Sequence, residues 1–249
     1  MRRGETVNSP LTQNQKCDII LAMNQEIADW AVEETDAYFA VRYPSRDEWR
    51  ANRNRNPRTG GLTVGGSDAP VVEGISSFKS PQELMAELRG EVERPNLDGN
   101  PNIQRGVQSE PLIRQLFAVE HPEYQVADGT GIVFYSKRYP WASASLDTIL
   151  MDARGFGSHE IKSVMYSSKW KGDFAPDDYF IQVVHQMMVT GWEYGLLHAR
   201  IVGRYTHDKL YQYSAADIAE QGAILMADEQ RFIDAVSTGK PLPYKIPII

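Results

Sequence analysis

Apolar and polar positions alternate along this chain with two periods, and the period changes along its length. From Asp18 to about Ala37, Ile19, Ile20, Met23, Ile27, Trp30 and Ala31 fall at spacings that build one stripe of a helix. Lys79-Ser-Pro-Gln-Glu opens a second helix, with Ser80 as cap, Pro81 at the first helical position and Glu83 three residues after the cap. Residues 90–103 are rich in Gly, Pro and Asn and read as a loop. Gln108–Val119 follows as a helix that buries Leu112, Ile113, Leu116 and Phe117, with Pro111 in its first turn. The period then shortens to two. Tyr124–Tyr135, Trp141–Met151 and Phe156–Val164 read as strands, as do Gly195–Tyr205 and Lys209–Ser214 later on. Between these groups lies a helix over Asp178–Tyr194, with Phe180, Val183, Val184, Met187 and Met188 on its apolar face. A last helix covers Asp217–Val236, and the proline-bearing tail Pro241–Ile249 is non-helical. Helices, three strands, a helix, two strands and a helix predict an α/β (α+β) fold on a mixed central β-sheet flanked by helices.

Composition narrows the class. Cys17 is the single cysteine of 249 residues, which excludes an intramolecular disulfide and a cysteine-rich metal site and points to a reducing compartment. No apolar run reaches membrane-spanning length, and no signal-peptide pattern opens the sequence. The net charge of −7 weighs mildly against a nucleic-acid binder. Its distribution weighs the other way: Arg42, Arg46, Arg50, Arg53, Arg55 and Arg58 stand against Asp47 and Glu48, a local +4. On composition alone that strip is equally a solvated linker or a contact surface for DNA.

Candidate chemistry concentrates between Ala142 and Lys162. Side chains alternate along a strand, so Glu160 and Lys162 share one face and Ile161 points to the other, into the core. If the first strand pairs with the second through the Met151–Phe156 turn, Asp147, in that first strand, approaches Glu160. Glu110 from the preceding helix completes an acidic set with hard oxygen donors suited to Mg²⁺ or Mn²⁺. Two unit charges 4 Å apart repel by about 4 kcal/mol at an effective dielectric near 20, so such a cluster calls for a cation. Lys162, flanked by carboxylates, keeps its proton and serves as a fixed positive charge rather than as a base. The same Asp and Glu-x-Lys spacing also describes an ordinary solvated strand pair. Gln182 offers an amide to phosphate oxygens. His159 should face away from Glu160 and reads as structural. Trp192 reads as core, and Trp170, in the basic loop Ser167-Ser-Lys-Trp-Lys-Gly, reads as a base-stacking candidate.

Six stretches in order then resemble one family: Gly65-Gly-Ser-Asp-Ala, Phe78-Lys-Ser-Pro-Gln-Glu-Leu, Arg105-Gly-Val-Gln-Ser-Glu-Pro-Leu-Ile, Ala144-Ser-Leu-Asp, Glu160-Ile-Lys and Gln182-Val-Val-His-Gln-Met-Met-Val-Thr-Gly. Together, over roughly Leu62–Tyr213, they are similar to the lambda exonuclease and YqaJ-type viral recombinase family of the PD-(D/E)xK nuclease superfamily. The resemblance implies a restriction-endonuclease-like core over residues 62–249, preceded by an N-terminal helical extension with the arginine-rich segment over residues 1–61. It implies a Mg²⁺- or Mn²⁺-dependent exonuclease that digests duplex DNA from the 5′ end and leaves 3′ tails for a single-strand annealing protein. A trimeric ring and a cytoplasmic setting in a bacterial host, phage or prophage encoded, are implied with it. Residue by residue, Asp147, Glu160, Glu110 and the backbone carbonyl of Ile161 match the metal site and Lys162 the catalytic lysine. Ser67 and Gln182 match groups around the phosphates, and Arg58, nine residues before Ser67, is the nearest match to the arginine that grips the 5′ phosphate. Leu146 and Thr148 depart from the family's Pro and Gly around the aspartate. A non-catalytic or endonucleolytic DNA-binding protein on the same fold is the competing reading; the single cysteine excludes an iron–sulfur nuclease.

Overall fold

The computed structural model describes residues 29–242. Cys17, residues 18–28 of the expected Asp18–Ala37 helix and most of the Pro241–Ile249 tail lie outside the described residues; of the rest of that expected helix, residues 29–31 are helical and residues 32–37 turn toward the first strand.

Among the described residues, eight strands form two sheets. β1 (Tyr38–Arg42), β3 (Ile132–Ser136) and β4 (Ser143–Ser145) make a small antiparallel sheet with β3 in the middle. β2 (Gln125–Asp128), β5 (Thr148–Asp152), β6 (Gly155–Met165), β7 (Tyr194–Val202) and β8 (His207–Ser214) make the larger one, in that spatial order. Within it, β6 and β7 run parallel and the other pairs antiparallel, so the sheet is mixed as expected. The helices are α1 (Arg46–Asn52), α2 (Ala69–Val72), α3 (Pro81–Leu88), α4 (Pro101–Glu120), α5 (Asp177–Thr190) and α6 (Ala219–Thr238).

Two predicted strands are each broken in two, and each break moves the chain from one sheet to the other. Tyr124–Tyr135 becomes β2 and β3, separated by Gly129-Thr-Gly131. Gly131 has φ +78°, and a Cβ on Gly129 would lie 2.4 Å from the Leu146 carbonyl oxygen, so neither position admits a larger residue without strain. Trp141–Met151 breaks opposite this turn, at Leu146–Asp147, into β4 and β5. Asp147 therefore stands at the crossover between sheets and not within a strand. A period-two pattern does not reveal such a switch, because apolar alternation continues across it.

The helix over the 108–119 region starts earlier than its apolar pattern indicates. Asn100 caps α4 by accepting from the Asn102 N–H at 2.9 Å, and Pro101 takes the first position. Pro111 thus sits in the helix interior, where its ring removes one backbone bond. Ile113 and Phe117 are buried, whereas Leu112 points to solvent. The arginine-rich strip is ordered rather than a linker: it contains the end of β1 and all of α1, capped by Ser45. Trp49 Nε1 donates to Ser145 Oγ at 2.8 Å, and Arg50 and Arg46 pair with Asp98.

The main core lies between the sheets and α5, with Phe134, Val183, Val184, Met187, Trp192 and Leu197 among its members. A second cluster, with Leu84, Phe232 and Val236, joins α3 to α6. Both use the apolar stripes read from the sequence. The main core fixes α5 against both sheets.

Candidate active site

The register of β5 against β6 pairs Thr148 with His159, so the next rung sets Asp147 beside Glu160. Asp147 Oδ2 accepts the Ile161 N–H at 2.8 Å, which fixes the aspartate against the middle of β6. Glu160 is only 2% exposed. Its Oε1 accepts from Lys162 Nζ at 2.5 Å and Gln182 Nε2 at 2.6 Å, and its Oε2 accepts from Gln186 Nε2 at 2.5 Å. Gln182 and Gln186 are one helical turn apart on α5 and present the same face to the sheet. Glu110, half-buried on α4, lies within electrostatic reach of Glu160 and Lys162. One turn on, Arg114 anchors that helix by donating to the Asp147 carbonyl at 2.6 Å and pairing with Asp128 at 2.8 Å.

The electrostatics follow from this crowding. Burial, then the Glu160 and Glu110 carboxylates, hold Asp147 well above the usual aspartate range. Burial and Glu160 raise Glu110 in the same way. Burial works against the Lys162 ammonium, but Glu160 and Asp147 outweigh it, and its pKa stands above the ordinary lysine value. Three carboxylates thus surround one lysine. Among the described residues no three His, Cys, Asp or Glu side chains are drawn together tightly enough to cage an ion as they stand. The donor set nevertheless fits a hard divalent cation: the buried Glu160 with the half-buried Asp147 and Glu110 alongside, all oxygen ligands, and a local excess of negative charge.

The glycine turn lies against the same helix face. A Cβ on Gly66 would lie 3.4 Å from Gln182 Cγ and 3.6 Å from Gln186 Cγ, so a side chain there would press on both amides. Ser67 follows, exposed, and its Oγ accepts from Arg53 Nη2 at 2.7 Å. Arg53 also lies over the Trp49 ring, 4.8 Å from its centroid. Next to it, the buried Asp68 takes Arg94 at 2.8 Å and Asn54 at 2.8 Å. Burial raises Asp68, but Arg53 and Arg94 bring its carboxyl below the usual range.

The structure brings together Glu110, Asp147, Glu160, Lys162 and Gln182, with Ile161 in between. Two expectations require correction. Arg58 is not the arginine at Ser67: it makes a 2.6 Å ion pair with Glu34 and covers the Phe39 ring at 3.8 Å. Arg53 occupies that place, because α1 folds the strip back and turns Arg53 toward the glycine turn. Trp170 is not a free stacking surface. It is 3% exposed and stacks on Tyr179 at 5.3 Å, since the loop folds inward to cover the start of α5. Lys162 Nζ lies 5.3 Å from the same Tyr179 ring. His159 faces away from Glu160, between Phe117 and His198, and Trp192 is in the core, both as read. Gln186 escaped the sequence reading, although its one-turn spacing from Gln182 was the available signal. Arg53 and Arg114 carried no local signal.

Comparison with known proteins places the chain in a family and a fold. Residues 48–193 match the YqaJ-like viral recombinase domain. The YqaJ protein of Bacillus subtilis strain 168 is 23% identical over 155 residues, which cover 60% of this chain and 44% of that relative; the match therefore spans less than half of the relative's length. Among solved structures, the alkaline exonuclease LHK-Exo from Laribacter hongkongensis superposes with a TM-score of 0.53 at 21% identity, covering 78% of this chain and 97% of its own. A phage-related exonuclease from Haemophilus somnus 129PT gives 0.50 at 11% identity, covering 72% and 96%. These likenesses establish the fold as that of the PD-(D/E)xK nucleases.

Proposed function

Since the chain belongs to the YqaJ-like viral recombinase domain family, we propose that it is a metal-dependent DNA exonuclease that removes nucleotides from the 5′ end of duplex DNA. The observation that carries this reading is the convergence of Asp147, at the β4–β5 crossover, with Glu160 and Lys162 of the neighbouring β6, with both oxygens of Glu160 held by donors.

Asp147 and Glu160, assisted by Glu110 and the Ile161 carbonyl, would hold Mg²⁺ or Mn²⁺, which supplies Lewis-acid polarisation of a phosphoryl oxygen and an activated water. The protein's own part is orientation and charge. Lys162 remains protonated and offers an N–H to the negative charge that grows on the phosphoryl oxygens. Gln182 and Gln186 keep Glu160 from rotating away, so its geometry is set before substrate arrives. Ser67 and Arg53 form a donor pair beside the glycine turn, suited to a terminal phosphate; Arg53 takes the end-reading role that the resemblance suggested for Arg58. Guanidinium geometry favours two-pronged contact with such a group. The same reading carries the rest of what the family resemblance implies: 3′-tailed product, an annealing protein as recipient, a ring-shaped trimer, and action on DNA inside a bacterial host. Among the described residues no helix is long and apolar enough to cross a membrane.

The test is digestion of linear duplex labelled at either the 5′ or the 3′ end, with Mg²⁺ and with chelator. Release of 5′ label as mononucleotide, dependent on Mg²⁺ and abolished in Asp147→Asn, is expected. Internal cutting of closed circular DNA, or release from the 3′ end first, rejects the reading.

A further inference from the structure

Beyond Lys162, β6 runs out to a surface that the proposed chemistry does not use. Tyr166 extends the strand by one residue, its N–H donating to the Val202 carbonyl at 2.9 Å. Side-chain alternation puts it on the same face as Lys162, about 13 Å further along at the usual strand rise. Tyr166 is 54% exposed. Tyr205, in the turn between β7 and β8, is 75% exposed. The two come close across that turn: a Cβ on Gly203 would lie 3.2 Å from Tyr166 Cβ and 3.7 Å from the Tyr205 carbonyl oxygen.

The loop after β6 lies alongside. Trp170 pins it by its stack on Tyr179, and Lys209 Nζ ties it to β8 by donating to the Gly172 carbonyl at 2.6 Å. Phe174 is left 88% exposed at its tip. Cations are interleaved with these rings. Arg204 lies 5.7 Å from the Tyr205 centroid, and Lys171 is exposed on the loop. Lys209 shares a rung with Lys162 through Ala199, two strand spacings or about 10 Å away. Of the acidic groups nearby, Asp178 is paired with Lys169 and Asp208 with Arg200, while Asp173 and Asp177 are exposed.

We infer that this surface binds single-stranded DNA, with bases stacking on Tyr166 and Tyr205 and the backbone passing Arg204, Lys171 and Lys209 toward Lys162. Aromatic faces bind bases only where those bases are unpaired, and interleaved cations track the phosphates. A duplex buries its base faces and gains nothing from the rings. The continuity with β6 sets the unpaired segment within a few nucleotides of the proposed scissile bond, where a strand-selective exonuclease exposes it. The inference rests on the nuclease reading for its role, but not for its test.

Fluorescence anisotropy in chelator separates the two. A labelled oligothymidylate and a blunt duplex are titrated at one salt concentration with wild type, Tyr166→Ala, Tyr205→Ala and the double variant. Each single change is expected to weaken oligothymidylate binding about tenfold, with duplex binding unchanged. Unchanged oligothymidylate binding overturns the inference, and so does an equal loss on both DNAs. Sedimentation of the double variant is the third measurement: a smaller assembly than wild type would make the patch an interface between copies and overturn the inference as well. If wild type fails to digest end-labelled duplex but shows ring-dependent oligothymidylate binding, the nuclease reading fails and this site stands. If it digests duplex and the variants bind normally, only this site fails.

Discussion

Three donors converge on Glu160, from Lys162, Gln182 and Gln186, and they divide the work. Lys162 carries the charge. Lys162→Ala should lower the single-turnover cleavage rate by about 10²–10³-fold while DNA affinity changes little, because its contact strengthens only as charge develops. Quench-flow rates set beside anisotropy-derived Kd values distinguish this from a plain phosphate contact, for which both would fall together. Gln186 holds the other oxygen from a fully buried position. Gln186→Leu is expected to cost about 10–100-fold in rate and to raise the Mg²⁺ midpoint, as loss of a group orienting a metal ligand does. An unchanged midpoint would reduce Gln186 to packing. At the glycine turn, Arg53→Lys should erase the preference for 5′-phosphorylated over 5′-hydroxyl ends, since an ammonium cannot replace the fork of the guanidinium. Arg58→Ala should leave that ratio alone, because Arg58 is spent on Glu34 and Phe39. Equal initial rates on both ends in wild type, or a ratio that follows Arg58, would refute this assignment.

α5 presents its amides to Glu160 because His185, which borders the same face of the helix, is clamped. His185 Nδ1 meets Glu229 Oε1 of α6 at 2.7 Å, and His185 Nε2 meets the Ser143 carbonyl of β4 at 2.8 Å. One buried ring thus joins two helices and the small sheet. Burial works against the imidazolium, but Glu229 and the Ser143 carbonyl outweigh it, so the His185 pKa lies above the ordinary histidine value. A raised folded-state pKa means stabilisation that is complete below the unfolded value, about 6.5, and lost as pH climbs through the folded one. Thermal melts of the metal-free protein should therefore show Tm falling from pH 6 upward. His185→Gln should flatten that slope while lowering Tm at acid pH; a slope unchanged by the substitution would assign the pH dependence elsewhere. The apolar stripe of α5 was legible from its sequence. The clamp was not, since Ser143 and Glu229 lie 42 and 44 positions away from His185.

Across the whole molecule, a net charge of −7 coexists with a basic strip folded against the glycine turn. Much of that strip is spent internally: Arg46 and Arg50 on Asp98, Arg58 on Glu34. The local +4 read from composition therefore overstates what remains for a ligand, and Arg53 is the member directed at the site. On the proposed reading, the acidic cluster would also link the stability of the fold to a divalent ion. Adding Mg²⁺ should raise Tm in wild type, by the equivalent of about 2.7 kcal/mol at a hundredfold excess over Kd. Asp147→Asn should melt higher than wild type in chelator, because a half-buried carboxylate repelled by Glu160 and Glu110 is removed, and should no longer respond to Mg²⁺. Scanning calorimetry with and without the ion checks both, and a Mg²⁺ response retained by Asp147→Asn would move the metal away from this site.

The sequence by itself determined most of the helices and strands from Ser80 onward, the mixed sheet, the family, and which acids and lysine are the candidates for the site. Each of these is written in local periods and short motifs: the alternation that puts Glu160 and Lys162 on one face, the Ser80 cap, the stripe of α5. Tertiary structure alone decided that Tyr124–Tyr135 and Trp141–Met151 each split between two sheets, that Asp147 sits at the crossover, that Arg53 rather than Arg58 meets Ser67, and that Trp170 turns inward onto Tyr179. These depend on contacts between residues far apart in the chain, such as Gly129 against Leu146 and Trp49 against Ser145. A period-two pattern records which face a side chain takes and is silent about which sheet its strand joins, because both sheets bury their inner faces in the same core.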